Sequence, residues 1–213
     1  MSAASRAPLR SNRTSRPAVR VRRRAALGAG AAVVALLTTA CSSGGTSGGG
    51  GDTGYVSGPD GIATVKKAER VAVPELSGPT VDGESLNVAD YKGDVVVLNI
   101  WGSWCPPCRA EAKNFEKVYQ DVKDQGVRFV GINTRDSTTD KALAFEEEFG
   151  VSYPSLYDPT GKLMLRFEKG TLNPQAIPST LVIDRDGEIA ARTLQALSEE
   201  KLRKMLAPVL AEK

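Results

Sequence analysis

The sequence predicts an α/β fold in which a central mixed β-sheet is flanked by helices. Three observations lead there. From about residue 71 onward, strand-like and helix-like segments follow the order β-α-β-α-β-β-α, which calls for a sheet covered by helices. Val95–Trp101 reads Val-Val-Val-Leu-Asn-Ile-Trp, a nearly continuous apolar run of the kind buried on both faces of a sheet. Asp184-Arg185-Asp186-Gly187 carries hairpin turn chemistry, so the last two strands run antiparallel.

The elements follow in order. Asp82-Gly83 marks a turn between two short strands, Glu75–Ser77 and Glu84–Leu86. Lys92-Gly93-Asp94 ends a short turn before the apolar strand. A helix starts after Cys105, with Pro106 suited to its first turn, and runs to about Lys123. Gln125-Gly126 stops it, and Val127–Ile132 is the next strand. Ser137–Phe149 reads as a helix with Leu143 and Phe145 among its apolar positions, closed by Gly150. Thr180–Ile183 is a strand, and Glu188–Thr193 returns beside it. Ser198 caps a last helix carrying Leu202, Met205 and Leu206.

Composition narrows the chemistry. The chain has 213 residues, 41% hydrophobic and 25% charged, which suits one globular domain or at most two small ones. It has three cysteines and no histidine. That excludes a Cys/His zinc finger, His-ligated copper or haem, and a Ser-His-Asp triad. The formal charge is +3, but residues 1–40 hold eight arginines and no Asp, Glu or Lys. Removing those eight from the 28 basic residues leaves 20 against 25 acidic ones, a net of −5. A mildly acidic body gives no reason to expect a nucleic-acid partner.

Residues 1–40 read as a signal peptide. An Arg-rich stretch ends at Arg24, and a charge-free stretch from Ala25 to Ala40 follows. That stretch falls short of the ~20 residues of a membrane-spanning helix; a short helix kept in the membrane is the alternative. Leu37-Thr38-Thr39-Ala40-Cys41 resembles a bacterial lipobox, with Thr38 departing from the usual aliphatic residue. Cys41 is thus a candidate for lipidation, or a bystander in a discarded leader. Arg23-Arg24-Ala25-Ala26-Leu27 resembles a twin-arginine signal. Residues 41–70, Gly/Ser-rich and then mixed, read as a tether, and residues 71–213 as the folded domain.

Cys105-Pro106-Pro107-Cys108 lies between the apolar strand and the following helix. A helix N-terminus carries about half a positive charge and free N–H groups. A thiolate there is stabilised, so its pKa falls below the free value of about 8.5. Cys105 is expected to be the exposed, attacking sulfur. Cys108, one turn further in, is expected to be less exposed and to resolve the mixed disulfide. Pro106 and Pro107 lack N–H groups and stiffen the loop, which leaves the Cys108 N–H as donor to the Cys105 sulfur. A structural zinc would need two more ligands, and only Cys41 remains. A purely structural disulfide is the other alternative, though a four-residue loop gains little from closure.

Trp101-Gly102-Ser103-Trp104-Cys105-Pro106-Pro107-Cys108 resembles the active-site segment of the thioredoxin superfamily. More narrowly it resembles the TlpA/ResA-like, membrane-tethered thiol–disulfide oxidoreductases, over about residues 71–213. The resemblance implies a thioredoxin-like fold. Ile177-Pro178-Ser179-Thr180 resembles the family's cis-proline loop, which implies that Ile177 and Pro178 lie against the redox pair and offer backbone groups to substrate. Asn99 stands where ordinary thioredoxins carry a buried aspartate, and an amide cannot take that proton. Glu111 matches an acidic position of the TlpA/ResA-like branch, one turn after Cys108. A carboxyl packed near two sulfurs would have a raised pKa and exchange a proton with Cys108; a solvated surface glutamate is the alternative. Trp104 is expected to cover the pair and help form a docking surface, or else to pack in the core. Trp101 reads as core and Arg109 as a surface charge near the site.

The resemblance further implies an oxidoreductase on the extracytoplasmic face of a bacterial membrane, where the lipobox would anchor it through Cys41; a monomer is expected. It would reduce disulfides of envelope proteins such as apocytochromes, and a membrane electron donor would recharge it. No cofactor and no metal are expected. A disulfide-forming oxidase is the nearest rival. A thiol peroxidase shares the fold but needs an arginine and a threonine around its cysteine. An envelope copper carrier normally needs a distant histidine.

Overall fold

The computed structural model describes residues 54–212. The leader and Cys41 lie outside the described residues. Among the described residues no helix is long and apolar enough to cross a membrane.

Among the described residues, nine strands and three α-helices form the domain. In chain order they are β1 (Val56–Ser57), β2 (Ile62–Thr64), β3 (Ser77–Pro79), β4 (Ser85–Asn87), β5 (Val95–Trp101), α1 (Pro106–Val122), β6 (Val127–Thr134), α2 (Thr139–Phe149), β7 (Ser155–Asp158), β8 (Ser179–Ile183), β9 (Ile189–Thr193) and α3 (Glu199–Ala211). Seven strands make one sheet in the order β1-β2-β9-β8-β5-β6-β7, and β3 and β4 form a separate hairpin. β5, β6 and β7 are parallel, whereas β8, β9, β2 and β1 each run antiparallel to their neighbour. The sheet is therefore mixed.

β5 lies inside the sheet and every one of its residues is buried, which is why its sequence shows no polar alternation. Its odd and even positions face different cores. Val95 and Val97 pack with Phe115 and Val118 of α1 and with Leu202, Met205 and Leu206 of α3. Val96, Leu98 and Ile100 pack on the other side with Leu76, Val88, Met164 and Phe167. A third cluster gathers Trp101, Cys105, Cys108 and Ala112 with Ala142 and Phe145 of α2. Burial of each aliphatic side chain contributes roughly 1.5–3 kcal/mol. The redox segment thus hangs from a strand that is buried along its whole length.

Several boundaries differ from the sequence expectations. β1 and β2 lie within the stretch assigned to the tether, and Ile62–Thr64 pairs with β9. The tether reading up to residue 70 is corrected accordingly: the sheet begins at Val56. The pairing partner is supplied from more than 120 residues away, so no local pattern marks these strands. The hairpin around Asp82-Gly83 forms, but its first strand starts at Ser77 and pairs Gly78 with Leu86. β7 had no counterpart in the sequence reading. In α2 the buried face carries Ala142 and Phe145, and Leu143 is exposed. Gly150 ends α2 in the left-handed region, as a C-terminal glycine does. Ser198 caps α3 by accepting the Lys201 N–H.

Candidate active site

β5 ends at Trp101 and the chain turns at once into α1. The turn is closed by the Cys105 N–H donating to the Gly102 carbonyl at 3.1 Å. Cys105 is the N-cap, in extended backbone, and Pro106 and Pro107 fill the first helical positions. Prolines have no N–H to offer, so the first free amide of α1 is that of Cys108. It donates to the Cys105 Sγ at 3.2 Å. Cys105 and Cys108 are joined in a disulfide with Cα atoms 5.3 Å apart.

The expected exposure of Cys105 is corrected. Both cysteines are 1% exposed in this oxidised form. The Cys105 Sγ lies 3.6 Å from the Ile177 carbonyl oxygen and packs in the cluster of Val81, Trp101 and Phe145. Exposure therefore does not distinguish the two sulfurs. Position does: Cys105 alone sits at the helix N-cap, where an anionic sulfur is stabilised.

Glu111 lies one turn after Cys108 and is 2% exposed, so the solvated-surface alternative is removed. Its Oε1 accepts the Asn99 Nδ2–H at 3.0 Å, and its Oε2 accepts the Leu197 N–H at 2.8 Å. Burial pushes its pKa up to about 8, against the two donors, which pull it down. At neutral pH the carboxyl therefore holds a proton. Asn99 also donates to Thr180 Oγ1 at 3.2 Å, which ties β5 to β8 directly behind the redox turn.

The Ile177–Pro178 peptide bond is cis. It precedes β8, whose Ser179 pairs with Ile100 of β5. That pairing carries the loop to the redox turn and sets the Ile177 carbonyl against Cys105.

The comparisons with known proteins decide the family. Residues 67–207 match the Redoxin family model. The chain belongs to the Redoxin family. It is 26% identical over 156 residues to the thiol-disulfide oxidoreductase ResA of Bacillus thuringiensis (strain Al Hakam), covering 73% of this chain and 84% of that one. A crystal structure of a DsbF homologue from Corynebacterium diphtheriae is 34% identical with a TM-score of 0.65, covering 71% and 94%. A secreted thiol-disulfide isomerase from Corynebacterium glutamicum is 30% identical with a TM-score of 0.67, covering 74% and 97%. This redoxin is thus a TlpA/ResA-like member of the thioredoxin superfamily, with a thioredoxin-like fold, and a thiol–disulfide oxidoreductase.

The other sequence candidates fall around the pair. Trp104 donates its indole N–H to the Thr134 carbonyl at 3.1 Å and lays its ring against Gly102, where a Cβ would stand 2.5 Å from Nε1. It remains 47% exposed. Trp101 is core: its ring stacks on Phe145 at 4.4 Å, and its N–H donates to Ser155 Oγ at 3.3 Å. Arg109 is a surface charge that pairs with Glu148 and lies 4.9 Å over the Phe149 ring. Sequence reasoning missed Thr180, Leu197 and Asp136. Leu197 acts through a backbone amide, which leaves no mark in a sequence. Asp136 gave no signal beyond a charged residue in a loop.

Proposed function

We propose that this redoxin reduces disulfides in proteins of a bacterial cell envelope, on the extracytoplasmic side of the membrane. One observation carries the reading: the disulfide caps a helix whose next turn brings a buried, protonated carboxyl, Glu111. In the reduced enzyme the Cys105 thiolate attacks a client disulfide. One client sulfur joins Cys105, and the other leaves as a thiolate and takes up a proton. Cys108 then loses its proton to the ionised form of Glu111, a minor fraction at neutral pH that grows toward pH 8, and attacks Cys105 Sγ, and the second client sulfur departs with the electron pair of the broken bond. The client gains two electrons, and the enzyme is left as the Cys105–Cys108 disulfide with Glu111 protonated. That is the protonation state favoured for the oxidised form at neutral pH. A reductant returns two electrons, and Glu111 returns its proton to Cys108.

The surroundings of Cys105 support the reducing direction. Arg109, the nearest cation in sequence, is engaged by Glu148. The Cys105 thiolate then has the Cys108 N–H and the helix terminus for support, and an apolar cluster around it. Weak thiolate stabilisation keeps a dithiol a good reductant. Titration against glutathione is expected to place the potential near the thioredoxin value of about −270 mV. A potential near about −120 mV would instead make the protein an oxidant.

Clients such as apocytochromes, a membrane electron donor and a lipid anchor at Cys41 complete the proposal. Ile177 and Pro178, and the exposed part of Trp104, would receive the client chain. In a Cys108→Ala variant, clients should accumulate as mixed disulfides on Cys105, identifiable by mass spectrometry. Cys41→Ala should release the protein from membranes; a variant that stays bound would dismiss the anchor.

A further inference from the structure

We propose that Asp136 is a positioning residue for thiol–disulfide exchange, acting through Ser103 on the turn that carries Cys105. Asp136 follows β6 and is 2% exposed. Its two oxygens hold both donors of one residue: Oδ2 accepts the Ser103 N–H at 2.9 Å, and Oδ1 accepts the Ser103 hydroxyl at 2.5 Å. Oδ2 also accepts Asn133 Nδ2–H at 2.7 Å, and the Asp136 carbonyl accepts the Tyr157 hydroxyl at 3.1 Å. Four hydrogen bonds therefore fix a loop residue that stands outside every strand and helix.

The local backbone is shaped for this. Arg135, with φ of 60°, is the non-glycine residue in the left-handed region among the described residues. Such a conformation persists only where the surroundings enforce it. It follows the Thr134 carbonyl, which takes the Trp104 indole N–H, and precedes Asp136, which takes Ser103. The loop after β6 thus grips the two residues immediately before Cys105, one by side chain and one by backbone. Gly102 completes the fit, because a Cβ there would also lie 3.0 Å from the Thr134 oxygen. The hydrogen bonds of this loop reach Ser103 and Trp104, the residues before Cys105. Its effect is to hold the N-cap of α1 in register, so that the Cys105 sulfur stays on the Cys108 N–H while bonds exchange.

The requirement is for hydrogen-bond geometry rather than for charge, because the partners of the carboxylate are neutral donors. An asparagine can reproduce it. Its Oδ1 would take the place of Oδ2, and its Nδ2 would donate to the Ser103 hydroxyl, which can turn to accept. An alanine cannot.

The test is the second-order rate at which the reduced full-length chain reacts with oxidised glutathione at pH 7, followed by tryptophan emission. Asp136→Ala should slow the reaction about tenfold or more, as small misplacements of reacting groups do. Asp136→Asn should restore it to within about threefold of the parent. Equal slowing by both variants would assign the effect to charge and overturn the positioning role, and so would an undiminished rate in Asp136→Ala. Should Asp136→Ala not fold, Ser103→Ala decides: it leaves Asp136 Oδ1 without its hydroxyl donor and should slow the reaction several-fold while the protein stays folded. An undiminished rate in Ser103→Ala would overturn the proposal.

Discussion

Asn99 on β5 donates to Glu111 on α1 across 3.0 Å, and the same amide reaches Thr180 on β8. An amide here satisfies the carboxyl without competing for its proton. Two carboxyl groups at that separation could not both ionise. Asn99 therefore leaves Glu111 as the carboxyl of this buried hydrogen-bonded set.

The proton role of Glu111 is open to a direct measurement. With its pKa at about 8, the rate of disulfide exchange should show an inflection near that pH. Glu111→Gln should remove the inflection and lower the rate by about a hundredfold, the low end for general acid–base catalysis. Stopped-flow rates between pH 5.5 and 9.5 would show it. An inflection retained in the variant would mean that another group carries the proton.

Asn99 also tunes that carboxyl. Its Nδ2–H donates to the ionised form and so lowers the pKa that burial raises. Asn99→Ala removes the donor, and the Glu111 midpoint should move further above 8. Carbon-13 NMR of the labelled glutamate side chain in the oxidised protein reports the midpoint directly. A midpoint that falls would contradict the assignment of this bond.

What the sequence reveals here is what local pattern encodes. β5 is readable because seven consecutive residues are buried. The start of α1 is readable from Cys-Pro-Pro-Cys, and the start of α3 from Ser198. The Cys108 N–H to sulfur contact follows from two prolines having nothing to donate. The remainder depends on distant partners. Cys105 is closed in by Ile177, 72 residues on. Glu111 is held by Leu197, 86 residues on, through a backbone group common to nearly every residue. β2 is three residues long and exists because β9 lies beside it. Pro154 interrupts the pattern just before β7, which hides that strand.

Arg70 shows what the tether reading left out. Its guanidinium donates to Asp184 at 2.7 Å and to both Glu212 oxygens at 2.6 Å, and both Arg70 and Asp184 side chains are 5% exposed. The contact ties the segment between β2 and β3 to the turn after β8 and to the end of α3. Removing one partner of a buried ion pair leaves the other uncompensated, at a cost of about 3 kcal/mol. Arg70→Ala should lower the stability of the oxidised protein by about that amount in urea unfolding. It should leave glutathione exchange unchanged, because these residues lie at the N-terminal end of β5, away from the cysteines. A loss under 0.5 kcal/mol, the size typical of a surface change, would mean that the triad is not coupled to folding.

Glu111 imposes a pH dependence on stability as well as on rate. Its pKa is about 8 in the folded protein against an ordinary value of 4.5. Between those values the folded chain binds more protons than the unfolded one, so unfolding releases a proton. Stability must therefore fall as pH rises through that window, by up to roughly 1.4 kcal/mol per pH unit for this one group. The contribution is complete below pH 4.5 and lost above about 8. Glutamine does not titrate, so Glu111→Gln should flatten the slope and narrow its deficit against the parent as pH rises. It should not abolish the slope, because burial also raises Glu146, to about 7, with the same sign. Urea midpoints of the oxidised protein at pH 5, 6.5 and 8 measure this without interference from free thiols. Parallel curves for the two proteins would show that Glu111 is ionised in the folded state throughout. The proton that the oxidised enzyme is proposed to hold for Cys108 would then have to reside elsewhere.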